Sequence, residues 1–285
     1  MNALISSTRA ELLRLRKWPA VWVMVGVWLV LNVTFGYVFT YITYATGDAT
    51  AVGEGVPPAQ LLADMMPAAV PESLIAGMPM FGGAIMLILG GLAVGSGYGW
   101  GAWKTVFMQG PGRLSSFGGT LVALGVVVAG AVVATFAVDL GVSVLIASVE
   151  SQTIVWPTLS GSAEAIGAGL LIFGMWTAAG VLVGTLARSP ALAVGLGLVW
   201  ALVVENLLRG VGGLLGPVEA VTDLMPGTAA GSLAGALGVT AQSGGDGTPG
   251  VLTVLDAAPA AWLIAAYVIA FAVAALALVS RRDVI

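Results

Sequence analysis

Asp139, Glu164 and Glu205 are acids that fall within or at the edge of long uncharged stretches, and Arg209 follows Glu205 at i+4. Ionisable residues inside a membrane mark proton or ion pathways and gates. The i, i+4 spacing puts Glu205 and Arg209 on one helix face, where they can pair. Asp139 stands about 25 residues into its stretch, about 38 Å along a helix, so the spacing predicts it near the far surface. Glu164 opens the next stretch at that surface and Glu205 closes a later one. Structural or solvated acids at the boundary are the favoured reading. The alternative makes Asp139, Glu205 and Arg209 an outer gate or substrate exit.

Other chemistry is excluded by residue type. The chain has neither histidine nor cysteine. A disulfide framework, a Cys/His metal site, a cysteine nucleophile and a Ser-His-Asp triad are therefore ruled out. A phosphate-binding loop needs a glycine-rich turn followed by lysine and Ser/Thr. Lys17 follows Arg16 and Lys104 follows Trp103, so neither lysine fits. No catalytic, cofactor-binding or metal-binding residue is expected, and any ATP is hydrolysed on another polypeptide. A pI near 4.7 with no clustered basic face speaks against nucleic acid.

The segment 101–113, GAWKTVFMQGPGR, is the polar exception between two uncharged stretches. Trp103, Val106 and Phe107 fall at i, i+3 and i+4 on one helix face, with Lys104 and Met108 on another. Gly110 and Pro111 supply a stop. The spacing predicts a helix of about two turns, apolar toward a membrane and presenting a basic and thioether face away from it. An interfacial aromatic belt with positive charges is the simpler alternative.

These residues must be positioned by membrane-spanning helices. Only 8% of the chain is charged and 59% is hydrophobic, against roughly 25% charged in a soluble domain. Crossing the hydrocarbon core takes roughly 20 helical residues. Uncharged runs of that order recur at Trp18 to Gly47, Ser73 to Trp103, Leu114 to Val138, Ala165 to Ala187 and Ala257 to Ser280, with a shorter one at Ser189 to Val204. The fold class is an all-α polytopic membrane protein with six transmembrane helices. No cleavable signal peptide is expected, since the run after Lys17 is too long for one.

Basic residues avoid translocated loops. Arg9, Arg14, Arg16 and Lys17 precede the first span, Lys104 and Arg113 follow the second, Arg188 follows the fourth, and Arg281 and Arg282 follow the sixth. Asp48, Glu54, Asp64 and Glu72, and later Glu219, Asp223, Asp246 and Asp256, occupy the other side. Both termini are thus expected in the cytoplasm. Residues 1–17 read as an amphipathic lead-in with Thr8 and Glu11 at capping-box spacing, ended or kinked by Pro19. Residues 18–285 form the transmembrane domain, with a loop at 98–113 and an irregular outer segment at 206–258 that suits short helices tucked into the outer leaflet. Glycines 91, 95 and 99, and again 227, 231 and 235, have the spacing that lets helix backbones approach closely, either within one subunit or between two.

The stretch GSGYGWGAWKTVFMQGPGR, the lead-in STRAELLRLRKWPAVWV and the terminal SRRDVI together resemble an ABC-2 type permease, the membrane subunit of bacterial ABC exporters. The resemblance covers essentially the whole chain. It implies a multi-pass protein of the bacterial plasma membrane that moves an amphiphilic or hydrophobic substrate (drug, peptide or lipid) outward. Implied partners are two copies of an ABC ATPase, which bind the ATP and Mg, and a second permease chain, identical or not. Glu11, Arg14, Arg16 and Lys17 would belong to an elbow helix. Gly101, Trp103, Lys104, Val106, Phe107, Met108 and Arg113 would belong to a coupling helix docked on the ATPase. The chain departs from the family pattern at Gly97, Gly99 and Thr120. An ion-coupled secondary transporter, or a non-transporting sensor or immunity subunit, are the alternative functions.

Overall fold

The computed structural model describes residues 2–47, 56–109, 112–212, 215–241 and 247–282. Asp48, Glu54, Gly110, Pro111, Asp246 and Asp283 lie outside the described residues. The chain is an all-α polytopic membrane protein. In order its helices are α1 (Asn2–Lys17), α2 (Pro19–Thr46), α3 (Pro58–Asp64), α4 (Val70–Ala76), α5 (Met78–Gly99), α6 (Ala102–Gln109), α7 (Arg113–Val149), α8 (Leu159–Ala187), α9 (Pro190–Gly212), α10 (Gly216–Thr222), α11 (Pro226–Ala236) and α12 (Ala257–Arg281). Six of these, α2, α5, α7, α8, α9 and α12, are long and apolar enough to span a membrane. No strand occurs among the described residues beyond an isolated bridge between Ala241 and Thr248.

The centre of the bundle is the parallel pair α5 and α8. Small residues bring their backbones into contact: a Cβ on Gly90 would strike the Thr177 carbonyl, and one on Gly180 the Leu87 carbonyl. Toward the other end Gly82 and Gly83 make room for the rings of Phe173 and Trp176. Gly91 and Gly95 face Ala193 and Pro190 of α9, and Gly99 also approaches Pro190. Of the two contacts their spacing allows, within one subunit or between two, the three glycines make the first. They let α9 close onto α5 within the subunit.

Pro19 acts as the sequence suggests. Trp18 is extended and Pro19 opens α2, where its missing N–H costs nothing. The capping box does not form. Because α1 begins at Asn2, Thr8 lies in mid-helix and its hydroxyl donates to the Leu4 carbonyl at 2.9 Å. Glu11 instead pairs with Arg14 at 2.8 Å.

One end of the bundle is basic and gathers both termini. α1 lies along the first turns of α7, with Ser7 and Thr8 against Gly119, and the Arg113 guanidinium donates to the Arg282 carbonyl at 2.9 Å. The opposite end is acidic and holds α3, α4, α10 and α11. The stretch GTAAGSLAG forms α11 there, nearly all of it buried. Gly227 meets the Glu205 side chain of α9, but Gly231 and Gly235 do not meet another helix, as their spacing suggests. Gly231 and Gly235 lie on the carbonyls of Gly250 and Leu252, and the Leu252 N–H donates to the Gly231 carbonyl at 3.1 Å. The close partner is an extended strap, which needs the same absence of side chains.

The absence of native cysteine makes the sidedness directly measurable. A cysteine at Asp64 should react with an impermeant thiol reagent in intact cells, and one at Ser115 only after permeabilisation. Labelling of both from outside would overturn the assignment of the basic end to the cytoplasm.

Candidate functional site

At the basic end α6 is anchored by one aromatic side chain. Trp103 is buried, its indole N–H donates to the Val94 carbonyl at 3.1 Å, and its ring packs on Phe107 at 5.4 Å and Phe117 at 5.5 Å. Gly97 explains its own identity here, because a Cβ would collide with the Trp103 indole. An acidic side chain in that place would displace the anchor. Gly101, at φ +66°, turns the chain from α5 into α6 in a conformation that glycine adopts without steric cost. Arg113 lies 5.9 Å from the Phe107 ring.

The opposite face of α6 is bare. Lys104 is exposed, and Met108 is 74% exposed. Val106 departs from the sequence reading: it turns outward rather than joining Trp103 and Phe107. The reason is that α6 touches the bundle along a narrow seam, and i+3 from Trp103 already lies past its edge. Beside α6, Arg14 bridges elements by donating to the Ala93 carbonyl of α5 at 3.2 Å, and it stacks over Trp18 at 5.8 Å. Arg16 and Lys17 are exposed. Trp22 ties the α1–α2 corner, its indole donating to the Arg16 carbonyl at 2.7 Å. Thus the residues expected to form an elbow and a coupling helix do share one end of the bundle, on two helices packed against α5 and α7.

No model of a known family matches the chain, and no curated protein matches it. The arrangement must therefore be read from its own residues.

Of the structural and solvated roles open to Asp139 and Glu205, burial removes the solvated one. Both are fully buried, at 0% exposure. Glu205 does not pair with Arg209. It accepts the Gly227 backbone N–H at 2.8 Å and the Trp200 indole N–H at 3.0 Å, while Arg209 donates to Asn206 at 2.8 Å. Gly227 lies in the first turn of α11, where unpaired N–H groups and the helix dipole favour an anion. Glu205 thus pins the buried helix α11 to α9, a structural task that the apparent i, i+4 ion pair concealed. Glu164 is exposed and lines a cavity of about 270 Å³ with Glu72, Trp156 and Thr158. Burial, then the charge of Asp64, pushes the Glu72 carboxyl above the usual range.

Asp139 belongs to a polar seam between α2 and α7 that sequence reasoning missed. Trp28 donates to Thr135 at 2.9 Å, Asn32 to Asp139 Oδ1 at 2.6 Å, and Ser143 to the Tyr37 hydroxyl at 3.3 Å. At the acidic end Tyr41 and Tyr44 both donate to Glu150, at 2.7 and 3.0 Å. Thr135, Asp139 and Ser143 recur every four residues, one stripe along α7. On α2 the step from Asn32 to Tyr37 is one residue longer, and the π-helical turn Thr34–Val38 absorbs it. The two helices run parallel, so the pairs stay in register. The signal in the sequence was the i, i+4, i+8 recurrence of polar residues within an apolar span.

Proposed function

We propose that the chain is the membrane-spanning half of an ATP-binding-cassette exporter of the bacterial plasma membrane, driven by separate ATPase subunits. The observation that carries the reading is α6, a two-turn helix whose aromatic face is locked to the bundle while Lys104 and Met108 face outward with nothing upon them. This helix buries Trp103 in protein and turns exposed Val106 outward beside a cation and a flexible thioether. Such a face suits a protein contact. α1, with Ile5 and Leu13 exposed and basic residues in its last turn, has the make-up of an elbow lying in the membrane interface. The apolar faces of the spans suit an amphiphilic or hydrophobic cargo moved outward. Six spans are half of an exporter's membrane complement, so a second permease chain and two ATPase chains complete the assembly.

One observation favours the ion-coupled carrier instead, namely the burial of Asp139 among polar side chains. Against it, the seam closes below Asp139 on Trp28, which packs edge-on to Phe173 at 5.3 Å, leaving an apolar seal toward the basic end.

The test is purification in mild detergent from the native membrane, followed by native mass spectrometry and phosphate release. Two permease chains with two ATP-hydrolysing chains are expected, with hydrolysis raised by an amphiphilic substrate. A monomer that transports in vesicles without ATP would overturn the proposal.

A further inference from the structure

Asp139 is the one fully buried aspartate among the described residues. Its Oδ1 accepts the Asn32 amide, and its Oδ2 is buried without a hydrogen-bond partner. The surrounding elements supply no counter-charge. On α2 the neighbours are Asn32 and Tyr37. Tyr37 also meets Ser143 of α7 and Ser73 of α4. The acids on the elements around α7 are Glu72 on α4, Glu164 on α8 and Glu150 at the C-cap of α7, all toward the acidic end, and Glu11 on α1, which pairs with Arg14 at the basic end. Tyr267 on α12 bonds to the Leu224 carbonyl instead. The basic residues of α1, together with Arg113 and Arg281, meet α7 at the opposite end.

An ionised carboxyl without a counter-ion in such an interior costs several kcal/mol, and taking up a proton removes that cost. A divalent cation would ask for further carboxylates, and no group of three acids converges among the described residues. The route to the carboxyl is one-sided. From Asp139 toward the acidic end the seam continues through Tyr37 and Ser143, then Tyr41 and Tyr44, to half-buried Glu150, about 16 Å along the axis of α7. Toward the basic end it stops at Trp28 and Thr135, below which Val128 and Val132 are buried among apolar neighbours.

We propose that Asp139 is a proton-binding site loaded from the acidic end of the bundle along the α2–α7 seam, with Oδ2 taking the proton. It is a terminus for protons and not a channel, because Trp28 and Phe173 seal its inner side. The proposal stands independently of any ATPase partner.

Infrared difference spectroscopy of the reconstituted protein tests it. Lowering the pH should raise a protonated-carboxyl carbonyl band that shifts when aspartate is labelled with carbon-13, disappears in Asp139→Asn, and persists in Glu205→Gln. The isotope shift requires no variant, so a misfolded Asp139→Asn leaves the test intact. In oriented proteoliposomes the band should follow the pH on the acidic-end side and ignore the other. A band that fails to shift with labelled aspartate would overturn the site. Titration from the basic end would overturn the route. Suppression of the band by sodium, with potassium as control, would assign the site to a monovalent cation and overturn the proton reading.

Discussion

Replacing Gly180 with alanine is expected to lower the thermal midpoint sharply, and replacing it with leucine to abolish a monodisperse protein. A Cβ there would lie on the Leu87 carbonyl and 2.9 Å from the Gly91 nitrogen. These are backbone atoms of α5, which cannot rotate aside as a side chain does. The two helices must separate along a seam where a Cβ on Gly90 would strike the Thr177 carbonyl and one on Gly184 would lie 2.9 Å from the Gly91 carbonyl oxygen. Overpacking of a well-filled core costs about 1–3 kcal/mol, and more where nothing can yield. Gly174, on the same helix, has nothing within 4 Å of its Cβ position, so alanine there should be neutral or stabilising by up to about 1 kcal/mol through helix propensity. Scanning fluorimetry and gel filtration compare the variants. Equal midpoints for Gly180→Ala and Gly174→Ala would show that α5 and α8 do not pack in this way.

That seam also marks what was legible in the sequence. The spans were legible because crossing a hydrocarbon core leaves a signal in each segment alone: an uncharged run, ended by charges. Which glycine faces which helix is not a property of one segment. Gly91, Gly95 and Gly99 carry the same spacing whether they meet α9 or another copy of the chain, and only the three-dimensional packing assigns them. The same holds for Glu205. Its spacing to Arg209 advertised an ion pair, whereas the group that claims it is a backbone N–H of α11, separated from it by a turn and a short helix. At α6 the sequence fared better, because both faces of a two-turn helix are written within eight residues. Val106 alone fell on the other side, since the width of the contact depends on α5 and α7. Asp139 shows the remaining kind of error. Counting along the helix gives the distance of the carboxyl from the start of α7 but is silent on which face of α7 another helix covers. Burial by α2 then decided its environment.

The exposed face of α6 gives the prediction with the largest functional effect. Lys104→Glu combined with Met108→Asp should leave folding within about 0.5 kcal/mol of the parent, as is usual for exposed positions away from special contacts. Neither side chain has a hydrogen bond or ion pair to lose among the described residues, and Trp103 keeps its bond to the Val94 carbonyl. The variant instead places two carboxylates where a cation and a thioether stood. If α6 docks on an ATPase surface that accepts a lysine, the reversed charge meets its like, and such juxtaposition costs several kcal/mol. At about 3 kcal/mol the dissociation constant rises roughly a hundredfold. Biolayer interferometry between the chain in nanodiscs and any ATPase that co-purifies with it reads this directly, with the thermal midpoint as the check on folding. Trp103→Ala provides the contrast. It removes a buried indole, with a cost of about 3–5 kcal/mol that lowers the midpoint before any docking is measured. A double variant that binds the ATPase within twofold of the parent would leave α6 with no part in coupling. The ordered aromatic face would then be a fold element only, and under the exporter proposal the ATPase contact would have to lie elsewhere at the basic end, along α1.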